Sequence, residues 1–583
     1  MSFPAPAIRR VVPRLLGYVA RHRGLMAWSL VAMIAAAGVE LLLPYVIKLM
    51  ADGPIRDKNP DALPGYALAI VIVLVVGAVI RGAQTVLSVR AGREIGMSLR
   101  TDVFEHLQRH SLRFFDRHPV GVLTTRVTGD IESIEGFFAS GVAAAFHDAL
   151  KLLVILVVLL VVNAKLALGL LATLPLLVAA SALFSVRSGR AFRRVRAETS
   201  ATNGYTAESI DGLTVTRLFQ REAAAVHGFE DHVDRLRGAH LATVRNFAFF
   251  FPTVQALESL AVALVVQLGA TGLLNHTLSF GEFLQFWFLI EIFFDPIRNL
   301  SENLNLLLQA GAAGERVFKI LDEQPEIVSP EDGVRLDELK GDIAFEKVEF
   351  AYEEDTPVLR GIDAVVPAGT TTAIVGPTGA GKSSLLGLVS RFYDVQHGRV
   401  TVDGVDVRTL DLPSLRRRVA LVLQDVFLFR GSVLENIRLF DETISRERVE
   451  QAVAAIRADK LVAQLPGGLD APVEERGGNL SVGQRQLIAF ARALVHDPAI
   501  LVLDEATSSI DTETEHWIQE ALATLRSGRT TLVVAHRLST IRSADQILVL
   551  QKGRIVERGR HDDLLRQGGL YRTLYELQVR SEG

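Results

Sequence analysis

"TTAIVGPTGAGKSS" (371–384) decides what the second half of this chain is. A short run of strand-forming residues enters a glycine-rich turn that opens a helix, and the turn, Gly376 to Ser383, satisfies GxxxxGK[ST] in full. Glycines let backbone N–H groups converge on phosphate oxygens, and the helix N-terminus adds its dipole. Lys382 supplies charge at the outer phosphates and Ser383 a ligand for Mg²⁺. The strand–turn–helix context separates this reading from an ordinary glycine turn.

Outward from that loop, the chain beyond about residue 340 keeps one texture. Short strand-like runs, "IAFEKVEFAY", "VALVLQ", "AILVLDEA", "TTLVVAH" and "QILVLQKGRIVERG", alternate with helical stretches, as in an α/β domain with a largely parallel sheet. "ILVLDEA" (500–506) is an apolar strand that delivers Asp504 at its C-terminal edge, suited to Mg²⁺ through water. Glu505 beside it suits a general base for the water that attacks a γ-phosphate. Gln424 and His536 also close strands, the edge where ligands sit in open α/β sheets. Each is placed to touch water, Mg²⁺ or the γ-phosphate. A second glycine turn, "NLSVGQRQ" (479–486), opens another helix, and its own domain already has a phosphate loop.

Before about residue 305 the chain is of another kind. Six runs, roughly 25–50, 65–88, 138–162, 165–187, 247–274 and 280–304, approach or exceed the ~20 apolar residues that cross a bilayer. Runs such as "LLVILVVLLVV" (152–162) have no polar face to show water. Arg9, Arg10, Arg14, Arg21 and Arg23 precede the first run, and Arg187, Arg190, Arg193, Arg194 and Arg196 follow the fourth. The connections 163–166 and 275–279 are nearly uncharged, so the positive-inside rule puts both termini of this multi-pass chain in the cytoplasm; the expected location is the inner (plasma) membrane. The charged, helix-periodic segments 89–137 and 188–246 are expected to prolong the spans into water. Each is interrupted by a bend, at 114–130 and 199–215.

Bulk numbers agree. A chain of 583 residues exceeds one core, a mean hydropathy of +0.28 is high for a soluble protein, and 62 basic against 66 acidic residues do not point to nucleic acid. With no cysteine, disulfides and thiolate metal sites are excluded. The N-terminus lacks the apolar core and cleavage site of a secretory signal and reads as an amphipathic lead-in helix. The expected domains are 1–320 in the membrane, a proline-containing acidic linker at 321–342, and an ATPase domain at 343–583.

Ionisable residues inside spans are costly and point to function or to pairing. They are Glu40, Lys48, His147, Asp148, Lys151, Glu258, Glu291, Asp295 and Arg298, and the i,i+3 spacings suggest the pairs Asp148–Lys151 and Asp295–Arg298.

Tyr352, the phosphate loop, Gln424, "LSVGQ", "LVLDEA", "SSID" (508–511) and His536 follow one another in the order of an ATP-binding cassette ATPase. With six preceding spans, the whole chain resembles an exporter-type half-transporter of that superfamily, a helical membrane domain fused to an α/β P-loop ATPase. The resemblance implies that Tyr352 stacks on adenine and that Gly376, Thr378, Gly379, Gly381, Lys382, Ser383 and Ser384 bind ATP. It implies that Ser383, Gln424 and Asp504 serve Mg²⁺, that Glu505 is the base, and that Gln424 and His536 contact the γ-phosphate. Ser481, Gly483, Gln484 and Asp511 would face the nucleotide of a second half-transporter, in a homodimer or a heterodimer, and the two bends would be coupling helices. "EERG" (474–477) would touch the membrane extensions. Val482 and Glu474 stand where the family usually has glycine. The implied activity is ATP-driven export of amphipathic, drug-like or lipidic compounds by alternating access. The alternative is a membrane protein gated by ATP without active transport.

Overall fold

The computed structural model describes residues 5–336, 338–353, 355–504, 512–535 and 537–582. The chain divides into two compact units, Met1–Gln108 with Val120–Glu323, and Arg109–Pro119 with Gln324–Gly583.

The first unit is helical. Its long helices are α1 (Arg23–Met50), α2 (Leu63–Arg109), α3 (Val142–Val162), α4 (Leu174–Asp211), α5 (Glu222–Leu274) and α6 (Phe280–Asp322). In lipid every backbone N–H and C=O must be satisfied within the segment, which a helix achieves. At 1.5 Å per residue α2 runs about 70 Å, against about 30 Å of hydrocarbon, so more than half of it projects into water. Among the described residues, five stretches are long and apolar enough to cross a membrane: Arg23–Ile55, Pro60–Arg109, Val120–Val162, Ala164–Asp211 and Glu222–Leu274. The sixth expected span falls in α6, whose 43 residues give ample length, but Glu282, Glu291 and Asp295 interrupt its apolar part. Two of these acids face cations: Lys48 stands 3.4 Å from Glu282 and Lys151 stands 3.9 Å from Asp295.

The start of α6 is fixed by Ser279, which caps it reciprocally with Glu282. The Asp52 carboxylate accepts from the Ser279 hydroxyl and the Gly281 N–H, both at 2.8 Å, and so ties the end of the first span to the sixth helix. The N-terminal helix Ala5–Arg21 is amphipathic as expected. Val11, Leu15 and Tyr18 are buried, Arg14 meets Asp322 at 2.7 Å, and Tyr18 donates to Asp102 at 2.8 Å. At Gly92 a Cβ would lie 2.8 Å from the Ala139 backbone nitrogen, so this residue permits α2 its close approach to the chain leading into α3.

Both bends overlap the expected stretches but are shorter and shifted within or past them. The first is the short helix Leu112–Arg117, set off by breaks at 110–111 and 118–119, and residues 120–142 then continue helical through two wide turns. Pro119 has no N–H and restrains His118 to an extended conformation, which ends the short helix there. The second is Leu213–Leu218, flanked by Gly212 and by Gln220 at φ 51°. Within the expected interruption 199–215, residues 199–211 stay helical and the break comes at Gly212. Gly204 costs a helix only about 1 kcal/mol, and Tyr205 anchors the segment by donating to the Ala225 carbonyl at 2.9 Å.

The second unit is α/β. Its strands are β1 (Ile343–Ala351), β2 (Pro357–Val366), β3 (Thr371–Val375), β4 (His397–Val402), β5 (Val419–Val422), β6 (Ile500–Asp504), β7 (Thr530–Val534), β8 (Gln546–Gln551) and β9 (Arg554–Gly559). An antiparallel sheet has the order β2-β1-β4, with Val405–Asp406 at its edge. The main sheet has the order β9-β8-β3-β7-β6-β5 and is parallel except for β9. Its central strands are apolar on both faces and buried, as helix-covered parallel strands must be. The linker is ordered against this unit: Val334 bridges to Leu410, and the Ser329 hydroxyl accepts from the Leu412 N–H at 3.0 Å.

Candidate nucleotide site

Four parallel strands, β5, β6, β7 and β3, end at one edge of the main sheet, and the candidate site is built there. β3, at the centre between β7 and β8, runs into Gly376 at φ 155°, where a Cβ would collide with the Leu550 carbonyl. Only glycine fits that position. The loop closes on Gly381 at φ 100°, and helix α7 (Lys382–Val389) starts with the next residue. Thr378 and Gly379 are exposed at the crest of the loop.

Lys382 is buried, and its ammonium donates to the Gly376 carbonyl at 2.9 Å and the Pro377 carbonyl at 3.1 Å. Desolvation pushes its pKa down, and the Asp504 carboxylate opposes that shift. Ser383 is exposed on the first turn, while Ser384 is buried and its hydroxyl lies 3.0 Å from that of Tyr352. Asp504 ends β6 half-buried, and Gln424 lies exposed just beyond β5. The fold therefore carries Lys382, Ser383 and Ser384 on the loop and first turn of α7, sets Gln424 and Asp504 at the same ends of neighbouring parallel strands, and brings Tyr352, which follows β1 of the antiparallel sheet, against Ser384. Glu505, Asp511 and His536 lie outside the described residues.

A divalent cation fits this donor set. Ser383 offers an exposed hydroxyl and Asp504 a carboxylate near the same loop, and among the described residues no group of three or more His, Cys, Asp or Glu could hold a metal by itself. Mg²⁺ commonly binds this way, keeping waters and taking its other ligands from phosphates.

The second glycine turn is separate. Ser481 caps helix α8 (Val482–Val495): its hydroxyl accepts from the Gln484 N–H at 3.2 Å, and the Gln484 carboxamide accepts from the Ser481 N–H at 2.8 Å. Gln484, expected at the nucleotide, thus spends its carboxamide oxygen on the cap. Val482 is 44% exposed, Ser481 is exposed and Gly483 is buried. Beside Gln424 a groove of about 540 Å³ opens, lined by Val422, Phe427, Leu439, Ala489, Arg492 and His496 among others.

Sequence reasoning passed over Tyr393 and Gln396. Tyr393 meets Tyr352 ring to ring at 5.2 Å, and Gln396 bonds both backbone groups of Ala351, the residue before Tyr352. The only sequence cue was an aromatic pair, "RFYD", after the phosphate-loop helix.

A phosphate-loop ATPase domain joined in one chain to a bundle of membrane-crossing helices defines a class, the nucleotide-driven membrane transporters. Residues 26–297 match the family described as ABC transporter transmembrane region, and residues 359–508 match the one described as ABC transporter. The chain is 38% identical over 571 residues to an uncharacterized ABC transporter ATP-binding protein, YknV, of Bacillus subtilis (strain 168), covering 97% of this chain and 94% of that protein. It is 36% identical over 577 residues to an ATP-dependent lipid A-core flippase of Syntrophus aciditrophicus (strain SB), covering 98% and 95%. A solved bacterial Atm1-family ABC exporter with ATP bound superposes with a TM-score of 0.81 at 27% identity, over 95% of this chain and 98% of that one. The chain belongs to the ABC transporter family, as an exporter with membrane and ATP-binding domains fused, and its chemistry is ATP hydrolysis coupled to transport.

Proposed function

We propose that the chain is one half of a dimeric exporter that moves amphipathic, drug-like or lipidic compounds outward across the inner membrane, with its termini and ATPase domain in the cytoplasm. The observation that carries the dimer is the exposed start of α8: Ser481 and Val482 face solvent although they open a helix suited to an anion. In this reading Ser481 and Gly483 face the phosphates of an ATP held by Gly376, Thr378, Gly379, Gly381, Lys382, Ser383 and Ser384 of the second half-transporter. Tyr352 stacks on the adenine. Ser383, Asp504 and Gln424 would hold Mg²⁺, which when bound would neutralise phosphate charge. Glu505 is the general base, His536 contacts the γ-phosphate, and Asp511 belongs to the loop that crosses to the partner.

The amphipathic or lipidic cargo is supported by the relatives, one of them named a lipid A-core flippase and another, from Bacillus subtilis, a probable multidrug resistance transporter. In the second bend, Leu213, Val215, Leu218 and Phe219 are all exposed, which suits them to the groove beside Gln424 of the partner chain. That contact would carry closure of the ATPase pair to the spans.

The test is reconstitution of the chain into vesicles of bacterial lipid with a fluorescent lipid or a cationic dye inside or outside. ATP-dependent, vectorial movement, with ATPase activity that rises with the compound and is lost in Glu505→Gln, is expected. Ion currents gated by ATP without stimulated hydrolysis would replace export by a channel, and an active monomer in detergent would remove the shared site.

A further inference from the structure

The first bend, 109–119, packs as part of the ATPase unit, and its contacts converge on one place, the strand end that carries Tyr352. The Tyr393 hydroxyl donates to the Asp116 carboxylate at 2.8 Å. At its other side the Tyr393 ring stands edge-on to Tyr352, with centroids 5.2 Å apart and planes at 89°. Phe350 completes the trio, 4.9 Å from Tyr352 and 5.5 Å from Tyr393. Arg113, also in the bend, donates to the Ala351 carbonyl at 3.1 Å. Gln396 grips the same residue, accepting from its N–H at 3.0 Å and donating to its carbonyl at 2.8 Å.

The bend can carry a signal because it is stiff. His110, Phe114 and His118 stack in series at 4.0 and 4.4 Å, and Arg113 and Arg117 both reach Glu326, at 3.6 and 3.4 Å. Burial and the adjoining carboxylate push the Tyr393 pKa up, so its hydroxyl stays a donor. Tyr352 is 37% exposed and its hydroxyl is engaged by Ser384, so its ring has a free face and a fixed tip.

We propose that Tyr393 is a positioning residue that reports a base seated on Tyr352 to the bend Leu112–Arg117 of the same chain, independently of the γ-phosphate. A base stacked on Tyr352 fixes the tilt of that ring. An edge-on neighbour 5.2 Å away keeps its packing only at that tilt. Tyr393 in turn is held to Asp116 by a charge-assisted hydrogen bond, stronger than a neutral one. The inference rests on Tyr352 being the adenine platform. Its consequence is that a nucleotide diphosphate, unable to close the ATPase pair through a γ-phosphate, still orders the bend.

The experiment is hydrogen exchange on the full-length protein in lipid nanodiscs, with MgADP and, as a probe without a base, magnesium tripolyphosphate. MgADP is expected to slow exchange in 110–119 about fivefold, and tripolyphosphate at saturation to leave it unchanged. Tyr393→Phe, which keeps the ring and loses the donor, is expected to lose that protection while binding MgADP within about twofold of the parent. Asp116→Asn, which keeps an acceptor oxygen, is expected to retain most of it. Equal protection in Tyr393→Phe, or protection by tripolyphosphate, overturns the proposal. Tyr352→Ala separates the layers. Unchanged MgADP affinity there removes the adenine platform and the inference with it, whereas weakened affinity with undiminished protection in Tyr393→Phe removes the inference alone.

Discussion

Lys151 of α3 meets Glu40 of α1 at 2.9 Å within the membrane unit, with Asp295 of α6 at 3.9 Å. The i,i+3 spacing had suggested that Lys151 pairs with Asp148. Asp148 instead accepts from the Asn303 carboxamide at 3.1 Å, and the side chain of Arg298, the expected partner of Asp295, lies outside the described residues. Lys151 is buried, and the carboxylates that reach its ammonium, Glu40 and Asp295, come from helices packed against its own. Glu40 also faces Arg81 at 3.7 Å and His147 at 3.9 Å, so removing Lys151 weakens its surroundings without stranding it. Lys151→Met is expected to destabilise the protein by about 1–2 kcal/mol, and Glu40→Gln added to it to restore part of that. Thermal unfolding in detergent measures both, and strictly additive losses would show that the two charges do not depend on each other.

Ser481 has two separable tasks in this reading. Its cap on α8 is worth about 1 kcal/mol, the usual cost of replacing a capping serine by alanine. Its placement opposite a partner's phosphate would be worth more in turnover. Ser481→Ala should therefore shift stability slightly while cutting ATPase activity by about tenfold or more. Val482→Gly, which removes an exposed side chain, should change either quantity less than about threefold. A Ser481→Ala variant that hydrolyses ATP at the parent rate would leave the residue with its cap alone.

For Lys382 the expected signs of stability and function are opposite. Burial holds its pKa below the ordinary lysine value, so in the working pH range folding bears the cost of desolvating a cation. Stability from this group rises with pH between the folded and the unfolded pKa, where the unfolded chain binds more protons. Lys382→Met, close in shape and uncharged, is expected to keep or raise the unfolding temperature while abolishing tight MgATP binding. Calorimetry on the same sample reads both. A variant that unfolds earlier would show that the two loop carbonyls, and not the phosphates, are what the ammonium serves.

The phosphate loop and the alternating strands were legible because their chemistry is local: a strand, a glycine turn and a helix start lie within fourteen residues. The membrane spans were legible because lipid imposes an apolar length. The bends were displaced because Gly and Pro mark where a helix is weak, whereas the packing of the neighbours decides where it breaks. Gly204 stays helical beside Tyr205, and Pro119 ends the short helix before it. Tyr393 left almost no trace, since its partners Asp116 and Tyr352 are far away in sequence and no periodicity links them. The Lys151–Glu40 pair was hidden for the same reason. Periodicity shows contacts along one helix, and this pair joins two.

The C-terminal helix supplies a pH dependence whose sign is fixed. Tyr571, nearly fully buried, places its hydroxyl 2.6 Å from Nδ1 of His561, in a hydrogen bond. Desolvation holds the His561 pKa below its ordinary 6.5 and the Tyr571 pKa above the usual tyrosine range, so the pair is stable with both rings neutral. As pH falls below 6.5 the unfolded chain takes up a proton that the folded chain resists, and stability is lost down to the folded pKa, with no change above 6.5. His496, at the groove beside Gln424, is also pushed down by burial. His561→Gln should therefore flatten part of the fall in unfolding temperature as pH drops below 6.5, and His561→Gln with His496→Gln more of it. A double variant whose unfolding temperature falls as steeply as the parent's over that range would show that neither ring is held neutral by the fold.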